Sequence, residues 1–546
     1  MYKKINILSF LLLSLLIVTT VTVQSLLQHW SGDWDLDFWY IYNASIMSSG
    51  IQQEWYDHPA TTVLSLYSIF YKIYSLVDHS FIYKINEIMD ANDPNIALQK
   101  LFFVTRIFDS INTILIVFFT FKISKILSSK DLYAYFLTLT VVVSATFFQN
   151  LSVLNSEDWA VLFFLISFYF FLKFFIYNNI TFLLLSGLFF FFSFFTKISI
   201  LFLFIFIILL IPIFCEMYLI KSNSSIQKWI EKNFTLLFGS YLVFLLLYFI
   251  IHVFVLDKLD PFSRNAGLDV TIILTLNLIY MVFFLIISKF KYIKFKTYFS
   301  IFILFLLGFS TGIIIFLAID ILNIAKLNPK ILVHLVKPFY KMLNFAYAPS
   351  GMESNMLGPA LLGTSIDMFN EALLVLSKIF SNFRFDNFLF IGLCLIFTMS
   401  VFKDLSNKNT YYFLFKIIIF TSLLFNTLLW NFRWWIEYNI LVHILYVILL
   451  SVCFKNLPNN MIKFFCIIST IYILIFLPIK NYTYYSKLLS PRPSVLVNLC
   501  NNFGSHKPPD NYFIFERYSK QFNSDTFSKI CNLPKSRFRG DKYVLE

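Results

Sequence analysis

Charge is what this 546-residue chain has least of: Asp, Glu, Lys and Arg make up 13% of it, about half the share found in soluble domains. Hydrophobic residues reach 59%, and the mean hydropathy is +0.74. That balance excludes an ordinary soluble globular protein. Cysteine is also scarce, with six in all. There is neither a CxxC nor an HExxH spacing, so no pattern of structural or catalytic zinc is present. No nucleic-acid motif accompanies the net charge of +13. The excess sits in short lysine loops, Lys122/Lys125/Lys130, Lys221/Lys228/Lys232 and Lys289/Lys291/Lys294/Lys296, which the positive-inside rule places in the cytoplasm. An internal repeat is lacking as well, which weighs against a transporter built from paired halves. A cleavable leader is missing too. Tyr2-Lys3-Lys4 precede an apolar run from Ile5 to about Leu27, longer than the roughly 7–15 residues of a signal peptide. Val23-Gln24-Ser25 has no small-x-small cleavage pattern. The segment reads as a signal anchor, with its lysines inside.

Long apolar runs are what the chain does have. After the first, they fall near 101–121, 132–149, 159–177, 180–195, 198–215, 233–255, 270–288, 298–320, 386–402, 410–430, 436–454 and 460–479. Each approaches the roughly 20 residues that cross a bilayer, and backbone satisfaction in lipid requires them to be helices. The expectation is an all-α polytopic membrane domain over 1–479, with roughly thirteen transmembrane helices, the N-terminus cytoplasmic and the C-terminus outside. The 71 Phe, alongside abundant Ile, Lys, Asn and Tyr, read as compositional bias, so Phe stripes are not functional signals.

Two loops on the outer face are long. The first, 28–100, contains an amphipathic stretch from Thr61 to Val77 that suits either an interfacial helix or a buried packing helix. The second, 321–385, carries Lys330, His334, Lys337 and Lys341, then a Gly/Pro segment from Pro349 to Pro359. It reads as a functional lid or as disorder. Residues 480–546 form a polar tail that includes Pro491, Pro493, Pro508 and Pro509, the size of a small external domain. Cys500 and Cys531 in this tail either pair or stay as free thiols. Cys215, Cys394, Cys453 and Cys466 fall in or at the ends of spans, as small hydrophobes.

Acids cluster at two places on the same predicted face. Asp33-Trp34-Asp35-Leu36-Asp37 directly follows the first span, and Glu157-Asp158 opens the one near 159. Three carboxylates within five residues of a span point to an enzyme acting at the membrane surface.

With those acids on one face, the chain resembles the GT-C superfamily of membrane glycosyltransferases, and within it the bacterial protein mannosyltransferase/aminoarabinose transferase group. The likeness runs over Asp35-Leu36-Asp37-Phe38-Trp39-Tyr40 to Gly50, then Tyr56-Asp57-His58-Pro59, then Leu185-Ser186-Gly187-Leu188 through Phe195-Thr196-Lys197-Ile198-Ser199. It covers roughly 27–200 well. Later in the chain it is carried by topology and by Phe432-Arg433 with Tyr438. Leu36 departs from the pattern by occupying the usual place of the second acid. The resemblance implies transfer of a sugar from a polyprenyl-phosphate donor to a lipid, glycan or protein acceptor. It also implies metal independence, although the D-x-D acids with Glu157 and Asp158 can in principle hold a hard divalent cation.

The chemistry needs a base for the acceptor hydroxyl and positive charge for the leaving phosphate. Asp35 is the expected base, with Asp37 orienting the sugar or Asp35 itself, and Asp33 as the alternative. One carboxylate in one direct displacement predicts inversion. Substrate contacts are expected from Asp33, His58, Glu157, Asp158, Lys197, Arg433 and Tyr438. Each has a plainer reading. Glu157-Asp158 can cap the following helix, Lys197 can snorkel, Arg433 can mark an aromatic belt, and His58 can serve the loop fold. Arg106 and Asp109 read as an intramembrane ion pair. The competing functions are a flippase or transporter of a lipid-linked glycan, or a glycan polymerase or ligase using the 321–385 loop. The expected home is a bacterial inner membrane, with membrane lipids as partners and no nucleic acid.

Overall fold

The computed structural model describes residues 2–28, 39–53, 60–142, 144, 147, 153–197, 200–219, 225–258, 266–290, 295–333, 387–407, 409–431, 440–472, 475, 479, 538–539 and 542–543. Nearly all of them are helical. The first part comprises α1 (Tyr2–Leu27), α2 (Trp39–Ser48), α3 (Thr61–Val77), α4 (Ile85–Asp90), α5 (Pro94–Ser128) and α6 (Asp131–Val142). The middle holds α7 (Ser156–Tyr177), α8 (Ile180–Thr196), α9 (Leu201–Phe214) with a π-helical turn at Cys215–Leu219, α10 (Ser225–Lys258), α11 (Ala266–Phe290) and α12 (Phe295–Ile321). Four more follow: α13 (Asn387–Ser406), α14 (Thr410–Asn431), α15 (Ile440–Asn456) and α16 (Asn459–Ile471). From the tail, the described residues show an antiparallel pair, Phe538–Arg539 with Lys542–Tyr543.

Five helical stretches are long and apolar enough to cross a bilayer: Ile96–Ser128, Ser156–Tyr177, Lys228–Val253, Val270–Lys289 and Phe295–Ile321. The remaining apolar helices among the described residues include several of 10–17 residues. Within the expected span 132–149, α6 ends at Val142, Ser144 is a bend and Phe147 is again helical.

Two helices form the centre. α7 is buried almost throughout its first five turns, and α15 is buried from Ile440 to Phe454. A helix apolar on all sides belongs in such a position. α7 packs on α5 and α8, and α15 packs on α5, α6, α13 and α14. Phenylalanine supplies much of the fill. Phe171 and Phe175 of α7 meet Phe214 of α9, and Phe163 meets Phe189 and Phe192 of α8. Phe stripes are thus packing surface wherever these helices meet.

Glycine allows α8 and α12 to approach closely. A Cβ on Gly187 of α8 would overlap the carbonyl of Phe305 in α12, and one on Gly308 would overlap that of Leu184. One turn on, a Cβ on Gly312 would enter the ring of Phe191. Gly308 and Gly312 form the small-xxx-small spacing that lets membrane helices touch backbone to backbone.

Polar contacts tie the two ends of the bundle separately. At one end, Lys130 and Tyr133 reach Asn459, while Tyr298 and Tyr411 donate to Glu216 at 2.5 and 3.1 Å. At the other, Lys72 donates to the carbonyls of Asn323 and Ile324, Asn328 Nδ2 to Gln53 O, and Gln99 Nε2 to Gln28 O. The first stretch after α12 is therefore fastened to the segment between α2 and α4. α3 is a packing helix along its N-terminal half, with Thr61–Ser65, Tyr67, Ser68 and Tyr71 buried, while Leu76 and Val77 at its other end are exposed.

Candidate functional site

Asn155 opens α7. Its backbone is extended and its side chain accepts from the Asp158 N–H at 3.2 Å, a standard N-cap. The cap is therefore Asn155, and Glu157 and Asp158 occupy the first turn, where negative charge complements the helix dipole. Both acids are buried.

Lys197 ends α8. Its backbone is extended, and its N–H closes the last turn on Ser193 O at 3.0 Å. The ammonium does not snorkel: it forms an ion pair with the Glu157 carboxylate, and the two side chains are 9% and 8% exposed. The register that brings them together is held beneath by Ser193 Oγ donating to Ala160 O at 2.6 Å.

A second group lies against the first. On α5, Arg106 and Asp109 stand one turn apart with Nη1 to Oδ2 at 4.0 Å, both essentially sealed from solvent. Asp109 Oδ1 accepts from Trp159 Nε1 at 2.8 Å and from the Tyr67 hydroxyl at 3.1 Å. Trp159 Nε1 also lies 3.2 Å from the Tyr67 oxygen. Phe108 stacks on Trp159 with ring centroids 5.5 Å apart, and Phe70 of α3 stacks on Phe108 at 4.2 Å. The network thus joins α3, α5 and α7. Asp158 sits within electrostatic reach of Asp109, Glu157 and Arg106. Its Oδ1 is buried and has no hydrogen-bond partner among the described residues.

Three carboxylates, Asp109, Glu157 and Asp158, thus share a buried region with two cations, Arg106 and Lys197. Among these described side chains the formal surplus is one negative charge, and Asp158 Oδ1 is an acceptor with no described partner. Such an oxygen is costly unless a ligand donor or an ordered water meets it. The arrangement suits a hydroxyl-rich or cationic ligand group. Among the described residues, no group of three or more His, Cys, Asp or Glu side chains is placed to hold a metal ion.

Of the expected site residues, Glu157, Asp158 and Lys197 come together here. Asp33, Asp35, Asp37, His58, Arg433 and Tyr438 lie outside the described residues, as do Cys500, Cys531, His334, Lys337 and Lys341. Lys330 is exposed. Tyr67 and Trp159 are the residues that sequence reading passed over. Tyr67 counts there as one apolar position of an amphipathic helix, and Trp159 as the start of a span. The available signal was Trp159 directly after two acids, because a buried indole N–H seeks an acceptor.

No protein-family model, curated protein or solved structure matches this chain.

Proposed function

We propose that this chain is an integral membrane glycosyltransferase that moves a sugar from a polyprenyl-phosphate carrier to a lipid, glycan or protein acceptor. The reaction takes place on the outer face of a bacterial inner membrane, across which the chain passes roughly thirteen times. The observation that carries the reading is the buried group at the start of α7, where Asp158 holds an unpartnered carboxylate oxygen beside the Glu157–Lys197 pair. A multiply hydroxylated sugar meets such an oxygen with a donor. α5, at 35 residues, is about 52 Å long against a hydrocarbon core of about 30 Å. The helix thus exceeds the core by about 22 Å, and in this reading the excess lies at its N-terminal end, which brings Arg106 and Asp109 toward the boundary where a lipid-borne headgroup lies.

In this mechanism the Asp35 carboxylate accepts the proton of the acceptor hydroxyl as its oxygen bonds to the anomeric carbon. The bond from that carbon to the phosphate oxygen breaks on the opposite side, and the phosphate departs with the bonding pair. The configuration inverts. Asp37 orients the sugar, and Asp33, His58 and Tyr438 contribute contacts. Arg433 binds the leaving phosphate, which its planar fork suits. A phosphate reaching Lys197 competes with Glu157 for the ammonium, so Glu157 tunes how strongly Lys197 stabilises the leaving group. Positioning and electrostatics supply the rate, and no metal step is required.

The test compares surface glycolipids and glycoproteins of a deletion strain carrying the wild type, Asp35→Asn or Asp158→Asn, with membrane abundance checked for each. Loss of one sugar in Asp35→Asn at normal abundance is the expected result. Full rescue by both variants, where the deletion itself loses the sugar, removes these acids from the reaction and favours a flippase or transporter of the lipid-linked glycan.

A further inference from the structure

Between α10, α11 and α12, closed behind by α8 and α9, lies a cavity of about 360 Å³. That size is typical of a small-molecule site, and its walls are largely aromatic. Phe190, Phe204 and Phe309 contribute rings, and Phe302 lies 6.3 Å, centroid to centroid, from both Tyr241 and Tyr280. The outer faces of α10 and α11 are apolar and exposed, as at Leu242 and Leu274. In a bilayer those faces meet hydrocarbon, so an occupant arrives from the lipid.

One polar atom of this lining is unmet. Tyr280 is 5% exposed, and its hydroxyl has no hydrogen-bond partner among the described residues. Tyr241, Asn277 and Ser310, by contrast, are engaged. The Tyr241 hydroxyl donates to Asn277 Oδ1 at 2.8 Å, Asn277 Nδ2 donates to Ile273 O at 2.7 Å, and Ser310 Oγ donates to Leu306 O at 2.9 Å. A hydroxyl buried without an acceptor is costly. The Tyr280 side chain lines the cavity, so a molecule held there is placed to supply the acceptor. Water does not suit the position, because one hydroxyl among aromatic walls falls short of the two to four polar partners that retain a buried water.

Depth selects the ligand. Tyr280 stands midway along Val270–Lys289, the apolar stretch of α11, and so near the middle of a hydrocarbon core about 30 Å thick. A phospholipid or a polyprenyl phosphate offers only hydrocarbon at that depth, since its oxygens stay at the headgroup, about 15 Å away. The acceptor therefore belongs to an uncharged molecule that dissolves in hydrocarbon as a whole. Aromatic walls favour a flat ring over a saturated chain. A lipid-soluble quinone has each of these properties: a flat, uncharged ring with carbonyl acceptors, and an apolar tail.

We propose that this cavity binds the ring of a lipid-soluble quinone, with the Tyr280 hydroxyl donating to one carbonyl and the tail directed toward the bilayer. The interaction is binding alone, with no electron transferred. Neither Tyr280 nor the cavity has a part in the sugar-transfer mechanism above.

The experiment uses full-length protein in phosphatidylcholine nanodiscs with a photoreactive azidoquinone bearing a decyl tail, irradiated and mapped by peptide mass spectrometry. Adducts are expected within Tyr241–Ile251, Ile273–Tyr280 and Phe302–Ile314. Excess decylubiquinone is expected to suppress them about tenfold, and an equal excess of farnesyl phosphate or phosphatidylglycerol to leave them in place. Tyr280→Phe keeps the ring and removes the donor. It is expected to weaken binding of radiolabelled decylubiquinone about tenfold. The ligand-free variant should unfold at no lower temperature than the wild type, because the deleted hydroxyl has no described partner to lose. The wild-type map needs no variant to fold. Adducts confined to other helices, equal suppression by farnesyl phosphate, or unchanged binding in Tyr280→Phe overturns the assignment. Crosslinking requires no sugar transfer, so its outcome is independent of the glycan profiles.

Discussion

Lys197 and Glu157 are each shielded from solvent by the same packing that pairs them. Removing one partner strands the other, so Lys197→Met is expected to cost about 3–5 kcal/mol. The double variant Glu157→Gln/Lys197→Met should recover most of that loss, and thermal unfolding in detergent measures both. Trp159→Phe keeps one aromatic ring but loses the pyrrole ring with the N–H that Asp109 accepts. It should cost about 1–3 kcal/mol, with the cost much reduced in an Asp109→Asn background. Asp78, in the turn after α3, offers a pH test. The Lys100 ammonium first, then the Ser80 hydroxyl, hold its carboxyl down at about 2, below the usual value of about 3.9. The folded state thus binds this proton less readily than the unfolded chain. Its contribution is complete above the ordinary value and is lost as pH falls through about 2. The stability difference between wild type and Asp78→Asn should therefore be constant above about pH 4 and shrink toward about pH 2. A difference that does not change over that range would remove the Lys100 contact as its cause.

Helices meet here according to what their small residues allow. The α8–α12 contact depends on Gly187 and Gly308, where even a methyl group collides with backbone that cannot move aside. Gly308→Ala is expected to push the helices apart at a cost of about 1–3 kcal/mol, read as a lowered unfolding temperature. Gly50 has a different reason to be glycine. Nothing lies within 4 Å of its would-be Cβ, but its φ is +78° at the end of α2. That left-handed stop, with Ile51 N bonding back to Ile46 O at 3.0 Å, is the glycine terminator of helices. Read from the sequence, Gly50 was one element of a family likeness, and the backbone supplies an independent cause for it. Helix positions were legible in the apolar runs because each run must bury its backbone in itself. Ends were less so: 132–149 reads as one run, yet α6 stops at Val142, since hydropathy reports the surroundings of a segment and not its hydrogen bonding.

Across the whole molecule, polar clasps hold the two ends of the bundle and apolar packing fills the length between them. At the end away from the charged group, Lys416 Nζ pairs with Asp404 Oδ2 at 2.5 Å and also donates to Ser400, while Asn456 Nδ2 donates to Asp404 Oδ1 at 2.6 Å. One buried pair thereby pins α13, α14 and α15. Lys416→Met should destabilise by about 3–5 kcal/mol, and Lys416→Met/Asp404→Leu should come close to wild type, because an apolar pair of similar volume replaces a buried ion pair at little cost. The same clasp logic at the other end gathers Arg106, Asp109, Asp158 and Lys197 from three helices. Arg106 and Asp109 could be read as a pair from their spacing on one helix. That Glu157 would meet Lys197, forty residues on, could not.

Sequence alone determined the class of this protein: apolar runs that recur from end to end leave no soluble alternative, because their side chains have too little polar surface to face water. It also marked Glu157, Asp158 and Lys197 as ionisable groups beside such runs, where charge is costly to bury. Only the tertiary structure decided their partners. Which acid meets the lysine, and that Tyr67 and Trp159 share Asp109, both depend on the rotation and depth of packed helices. Those are set by close contacts such as Gly187 on Phe305, which hydropathy does not encode.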